Sequence, residues 1–380
     1  MDLSTPSRQS EGHAARNEEL TGSTSIGPTG DRISFTLLTG FLGSGKTTVL
    51  SELLKQPDME GTAVVINEFG EVGLDHLLVE STEEDILLLD SGCLCCTVRS
   101  DLIEALERLL YRMSEGEIPE IRRVVIETTG LADPAPILQT LIRDPELGQR
   151  FALDGVITTL DALNGVETLD SYPESRRQVA VADRILLTKL DLLESLPDGE
   201  ARRLILEQRL EQLNPGSPRI EVEHGKIDKD MLFDISLFRS GEDGPDLDAW
   251  LRDDLFEDTA TLPLDDQEAI HREVETGVQS FCVSYDAPIP SLVFEAWLTT
   301  LLQLKGPDLL RVKGILNIEE LDRPVVIHSV QHAVHDPVTL DSWPGTDRRS
   351  RIVFITKGIT ESQIDASLNS TMKALAQERL

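Results

Sequence analysis

What this chain of 380 residues lacks says a good deal. Hydrophobic residues make up 40% of it, yet no stretch approaches the ~20 consecutive apolar residues that span a bilayer. No membrane partner is expected. The first residues, Met1-Asp2-Leu3-Ser4-Thr5-Pro6, lack the basic-then-apolar order of a secretory signal. Cysteine is scarce: there are 4, and three of them, Cys93, Cys95 and Cys96, lie within one short run. That is no disulfide framework, so a reducing compartment is expected, with the cytoplasm as default. Positive charge is short as well, with 35 Lys and Arg against 68 Asp and Glu and a formal net charge of −33. Such a field repels phosphate backbones, so nucleic acid is not an expected partner. It favours solubility and would concentrate cations or basic partners. No internal repeat is present.

What is there is an alternation of strands and helices. Residues 1–30 are rich in Ser, Thr, Gly, Glu and Asn, and are expected to be a disordered tail. Apolar strands are predicted at Ile33–Leu38, Ala63–Ile66, Asp85–Leu89, Arg123–Glu127, Leu153–Leu160 and Arg184–Thr188. Helices are predicted at Lys46–Leu54, Arg99–Met113, Ala135–Ile142, Glu174–Ala182 and Gly199–Leu213. In the second of these, Leu102, Leu106, Leu109 and Leu110 share a face. Strands alternating with helices, several of the strands continuously apolar, imply an α/β fold with a mostly parallel sheet covered on both faces. Such sheets bind ligands at the carboxyl ends of their strands, where this chain places its polar residues.

The domain reading is a nucleotide-binding unit over residues 31–238, an acidic linker over 239–275 with a helical piece near Trp250, and a smaller α+β unit over 276–380. In the last unit, strands are predicted at Ser280–Tyr285, Leu310–Leu316, Val325–Val330 and Arg351–Thr356, and a helix at Leu292–Leu304.

Gly40-Phe41-Leu42-Gly43-Ser44-Gly45-Lys46-Thr47 fits the phosphate-loop pattern, between a strand and a helix as that pattern requires. The glycines Gly40, Gly43 and Gly45, with Ser44, Thr47 and Thr48, let backbone N–H groups close around phosphate oxygens at a helix N-terminus. Lys46 would reach the β/γ-phosphates, and Thr47 would place its hydroxyl on Mg²⁺. Glu127, at the end of an apolar strand, is placed to hold the Mg²⁺ shell or a water. Thr188-Lys189-Leu190-Asp191 also follows an apolar strand. There the Asp191 carboxylate could accept from guanine N1–H and the 2-amino group while the Lys189 stem covers the base, which adenine would not satisfy. Asn67-Glu68-Phe69-Gly70-Glu71 follows the second strand and could sense the γ-phosphate, and its carboxylates could join a metal site.

In Cys93-Leu94-Cys95-Cys96, thiols this close do not reach disulfide geometry with one another easily. They can turn toward one soft cation such as Zn²⁺ or Cu(I). Three thiolates leave a fourth position for Glu68, a histidine, water or another protein. His328, His332 and His335 form a second cluster, read as ordinary strand or turn histidines ahead of a second metal site. On one continuous strand, His328 and His332 would share a face and His335 would lie on the other.

In this order, the motifs resemble the CobW family of P-loop GTPases, SIMIBI-class metallochaperones. They are the phosphate loop, Asn67–Glu71, Gly92-Cys93-Leu94-Cys95-Cys96, Glu127-Thr128-Thr129-Gly130-Leu131-Ala132-Asp133-Pro134 and Thr188–Asp191. Leu310–Leu316 and Arg351–Phe354 are similar to the family's C-terminal domain. The resemblance implies hydrolysis of GTP with Mg²⁺, coupled to delivery of a metal, most often zinc, to a client metalloprotein. Glu68 would link phosphate state to the cysteines. Co²⁺ or Fe²⁺ as cargo, and a redox-sensing nucleotide switch, are the alternatives, and a homodimer is left open. Thr188 departs from the Asn found in many GTPases, which alters one support of the base loop.

Overall fold

The computed structural model describes residues 32–66, 86–88, 97–233, 235, 250–252 and 277–378. The tail, most of the linker, Glu68, Cys93, Cys95 and Cys96 lie outside the described residues.

A first sheet is built from β1 (Ile33–Gly40), β2 (Thr62–Ile66), β3 (Ile86–Leu88), β4 (Arg123–Glu127), β5 (Phe151–Asp161), β6 (Arg184–Thr188) and β7 (Arg219–Val222). The order is β3-β2-β4-β1-β5-β6-β7 and every pairing is parallel. Parallel neighbours need crossovers. These are α1 (Lys46–Leu54), α2 (Thr97–Ser114), α3 (Ala135–Arg143), α4 (Leu147–Arg150), α5 (Gly165–Ser171), α6 (Pro173–Val181), α7 (Leu190–Glu194) and α8 (Gly199–Leu213).

Alternation along the strands sorts the core into two faces. Phe35, Leu37, Ala63, Val65, Val124 and Ile126 pack with Leu102, Leu106 and Leu109 of α2 and with Leu138 and Leu141 of α3. Their neighbours Leu38, Val64, Ile66 and Val125 pack on the other face with Val49, Leu50 and Leu53 of α1. Burial on both faces is why these strands are mostly apolar.

The second unit comprises β8 (Val278–Tyr285), α9 (Ser291–Lys305), β9 (Leu309–Leu316), β10 (Val325–Val330), β11 (Ala333–Val334), β12 (Val338–Thr339), β13 (Ser350–Lys357) and α10 (Glu361–Glu378). Its sheet runs β11-β10-β9-β13-β8, with β12 also on β10, and its pairings are antiparallel. Trp297 of α9 anchors it. This ring is 2% exposed, tilts against Phe294 and meets Phe354 edge-on, while Nε1 donates to Ser367 Oγ of α10 at 2.8 Å.

The two units share core. Val278, Leu310 and Ile355 join Val179, Ala180 and Leu210, and Val330 and Ala333 join the α3 side. At the seam, Arg311 of β9 pairs with Asp183, at the start of β6.

The continuous strand expected to carry the three histidines ends at Val330, and His328 and His332 are a strand and a turn histidine. Gln331 takes φ 49° and the chain turns back as β11, so the His335 N–H donates to the His328 carbonyl at 3.0 Å. His328 and His335 therefore stack, 4.9 Å between ring centroids, and His332 packs on Gly306 instead. The sequence reading also did not foresee β7, β11, β12, α4, α5, α7 or α10. Several are only a few residues long and show no periodicity to read.

Candidate nucleotide and metal site

The phosphate loop joins β1 to α1. Gly40 takes φ 144°, and a Cβ there would collide with the Thr159 hydroxyl and carbonyl. Gly45 takes φ 92° as the cap of α1, a left-handed conformation that side chains disfavour. Ser44 is 1% exposed, and its hydroxyl shares a hydrogen bond with Thr159 at 2.6 Å. Lys46 Nζ donates to the carbonyls of Gly40 at 2.9 Å and Phe41 at 3.3 Å, so the amine lies across the loop that leads into its own helix. Thr48 is exposed, and a Cβ on Gly225, in the turn after β7, would lie 2.8 Å from its carbonyl.

Thr47 Oγ1 donates to Glu127 Oε1 at 2.9 Å across 80 positions of sequence. Adjacent corners of an octahedron with ~2.0–2.1 Å bonds lie about 2.9 Å apart. The hydroxyl and carboxylate thus have the spacing and the hard-oxygen chemistry of two Mg²⁺ ligands. Parallel register puts Glu127 there, because it pairs with Leu38 of β1 on one side and Ile66 of β2 on the other. The chain then passes under the phosphate loop. The Thr128 N–H donates to the Leu38 carbonyl at 2.9 Å and its hydroxyl to Thr39 Oγ1 at 2.8 Å. A Cβ on Gly130 would sit 2.6 Å from Leu42 N, so the two loops touch where only glycine fits.

The candidate base end lies where β5 and β6 finish. Thr188 Oγ1 donates to the Ser44 carbonyl at 2.8 Å, which ties the Thr188–Asp191 segment to the phosphate loop. At the position where the sequence departs from Asn, the contact to the phosphate loop is thus made by a threonine hydroxyl. Lys189 takes φ 58° and donates Nζ to Asp161 Oδ2 at 2.8 Å. Asp161 Oδ1 also accepts from the N–H groups of Leu163 and Asn164. Asp191, in the first turn of α7, is exposed.

Sequence reasoning did not single out Thr159, Asp161 or Gln178 as site residues. For Asp161, its place at the end of an apolar strand was a usable signal. For Gln178, inside a helix, the sequence offered none.

Among the described residues no group of three or more His, Cys, Asp or Glu is placed to hold a metal. Glu68 and the three cysteines lie outside the described residues, but their flanks are in view. β2 ends at Ile66, its parallel neighbour β3 ends at Leu88, and α2 begins at Thr97, next to Cys96. The His328–His335 pair is held neutral instead: burial, first, pushes His335 down to about 4 and His328 well below its ordinary value. Burial alone would raise Asp183, but Arg311 and Lys313 outweigh it and hold the carboxyl far below the usual range.

Residues 34–221 match the CobW/HypB/UreG nucleotide-binding domain, and residues 278–372 match the cobalamin synthesis protein cobW C-terminal domain. The chain is 34% identical to the zinc chaperone YjiA of Escherichia coli, over 90% of this chain and 99% of the relative. It is 27% identical to zinc-regulated GTPase metalloprotein activator 1 of Saccharomyces cerevisiae, over 90% of this chain and 84% of the relative. The crystal structure of Zn(II)-bound YjiA GTPase from E. coli aligns with a TM-score of 0.64 at 32% identity, over 90% of this chain and 99% of that one. With a phosphate loop on a parallel sheet, a C-terminal unit to match, and such relatives covered nearly end to end, the chain belongs to the CobW/HypB/UreG family.

Proposed function

We propose that the protein is a GTP-hydrolysing metal chaperone that binds zinc at Cys93, Cys95 and Cys96 and transfers it to a client metalloprotein. The observation that carries the nucleotide half is the Thr47–Glu127 oxygen pair at 2.9 Å beside Lys46 in a phosphate loop. Relatives named zinc chaperone and zinc-regulated GTPase metalloprotein activator support the metal half. The cysteine run supplies soft ligands for it.

In hydrolysis, water forms a bond to the γ-phosphorus while the bond to the β–γ bridging oxygen breaks, giving GDP and phosphate. Lys46 and the N-terminus of α1 stabilise the negative charge that grows on the β/γ oxygens. Thr47 and Glu127 would hold Mg²⁺, which supplies further charge neutralisation when bound. Thr188 keeps the base loop in register with the phosphate loop, and Asp191 reads guanine. Zinc is cargo: thiolates from Cys93, Cys95 and Cys96 hold it, and Glu68 is the candidate fourth ligand. The chain that carries Glu68 leaves β2 at Ile66, beside Glu127 in the sheet, so the state of the γ-phosphate can reach it.

Zinc titrated by a competing chelator, in GTP and again in GDP, tests this. Different affinities are expected in the two states, with reciprocal effects on nucleotide binding. Cys95→Ser should lower zinc affinity and remove any zinc effect on hydrolysis, leaving GTP binding intact. Lys46→Ala should keep zinc and lose hydrolysis. Equal zinc affinity in both states, with hydrolysis indifferent to zinc, would overturn metal delivery. Preferential retention of Co²⁺ would keep the mechanism and change the cargo.

A further inference from the structure

Helix α6 touches both halves of the molecule. At its first turn, the Tyr172 ring, just before Pro173, lies 4.5 Å from the Phe41 ring of the phosphate loop. In its middle, Gln178 is fully buried, and Nε2 donates to the Gly130 carbonyl at 3.2 Å and to the Ala132 carbonyl at 3.1 Å. Both carbonyls belong to the loop after Glu127. Arg177 adds an ion pair to Asp133 of the same loop at 3.6 Å. At the far end, the last carbonyls of a helix have no partner within it. Here two residues supply them: Asn214 donates Nδ2 to the carbonyls of Val179, Ala180 and Ala182, and Arg311 of β9, in the other unit, donates to those of Val181 and Ala182 and pairs with Asp183. The Arg311 side chain is 4% exposed and that of Asp183 is 9% exposed, so water does not stand in for either. The Asp183 carboxylate is also fixed by the Val156 N–H at 2.9 Å.

We propose that α6 couples the loop after β4 to the C-terminal unit, with Gln178 as positioning residue at the loop and the Arg311–Asp183 clamp at the other end. This rests on the GTPase reading above. Gly130 packs on the phosphate loop at Leu42, so the departure of a γ-phosphate acts on that loop first. Both N–H groups of the Gln178 amide are committed to it. A shift of the two carbonyls either breaks buried hydrogen bonds or moves the helix. Interiors are close-packed, so a displaced helix displaces what holds its end. That is β9. Coupling runs equally in reverse: a partner that moves β9 biases the loop and thus the nucleotide state.

The test uses the full chain, with hydrogen exchange followed in peptides over residues 40–47 and 309–316. The states are a non-hydrolysable GTP analogue and GDP. In the wild type, exchange over 309–316 should differ between the two states by about threefold or more. Gln178→Met keeps the length and removes both donors. It should abolish that difference and lower kcat about tenfold, with KM for GTP changed less than about twofold, as expected for a misplaced rather than a missing group. Arg311→Lys keeps a positive charge beside Asp183 but cannot reach two carbonyls and a carboxylate together. It should abolish the difference over 309–316 with hydrolysis within about twofold of wild type. Should Gln178→Met fail to fold, Arg311→Lys decides by itself. A wild type in which nucleotide protects 40–47 but leaves 309–316 unchanged overturns the coupling, as does a response that survives in both variants. If nucleotide does not protect 40–47 at all, the GTPase reading falls and takes the coupling with it.

Discussion

Thr188 and Asp161 show how single side chains tie the segments of the candidate site together. Thr188 reaches the Ser44 carbonyl from a strand two places away in the sheet order, and Asp161 holds the Lys189 amine. Asp191 is left open to solvent in the turn that follows. Asp191→Asn should weaken GTP and strengthen xanthosine triphosphate, because an acceptor pair becomes one acceptor and one donor. Competition between the two nucleotides measures it, and an unchanged ratio would remove Asp191 from base reading. Gly40→Ala places a methyl group against the Thr159 hydroxyl and carbonyl. We expect it to lower unfolding stability by about 1–3 kcal/mol, as overpacking does, and to weaken nucleotide binding. Urea denaturation and analogue titration check both effects. An unaltered midpoint would mean that the loop gives way freely.

Among the elements, α2 and α9 behave as amphipathic helices should. Leu102, Leu106 and Leu109 are buried together against the sheet, as their spacing predicted. In α9, Val293, Phe294, Trp297 and Leu301 face β9 and β13. Trp297 adds a hydrogen bond that a hydrophobic pattern does not encode. Trp297→Phe retains most of the apolar contact and deletes that bond. It should cost about 1 kcal/mol, with the Ser367 hydroxyl losing its acceptor role. GTP hydrolysis should not change, because α9 contributes nothing to the phosphate loop. A loss of hydrolysis comparable to that of Lys46→Ala would show that the C-terminal unit enters catalysis directly.

For the whole molecule, the seam between the units buries charged and titratable groups beside its shared apolar core, which makes its stability depend on pH. His335 stacks on His328, with Asp183, Asp336, Arg32, Arg311 and Lys313 as the charged groups around the pair. Burial pushes His335 from 6.5 down to about 4, so the unfolded chain binds this proton more readily than the folded one. Stability therefore rises with pH through that window and falls as pH drops from 6.5 towards 4. His328 shifts in the same direction, and each histidine can add up to ~1.4 kcal/mol per pH unit. Lys313 has the same sign higher up: burial, then Arg311, lowers it from 10.5 to about 7, so stability keeps rising with pH over that range. Urea midpoints at pH 7.5 and pH 5.5 should show the acid loss, and His335→Gln should flatten the slope. A wild type equally stable at both values would mean that the histidines are hydrated rather than buried.

The sequence by itself determined whatever is local. A strand, a glycine loop and a helix that begins at Lys46 form one contiguous segment, so the phosphate loop could be read without neighbours. Short apolar runs such as Val124-Val125-Ile126 and Ile185-Leu186-Leu187 read as strands buried on both faces, and the predicted bounds Arg123–Glu127 and Arg184–Thr188 match β4 and β6. The cysteine run, outside the described residues, stays a proposal that rests on its spacing. Only the tertiary structure decided which strand ends meet. Hydrogen-bond register brings Glu127 to Thr47, and sheet order brings Thr188 to Ser44. A left-handed residue at Gln331 turns the chain, so His335 meets His328 and not the opposite face. Gln178 and Arg311 were invisible beforehand for the same reason. A buried amide or guanidinium acquires its role from the carbonyls aimed at it, and those come from segments distant in the chain.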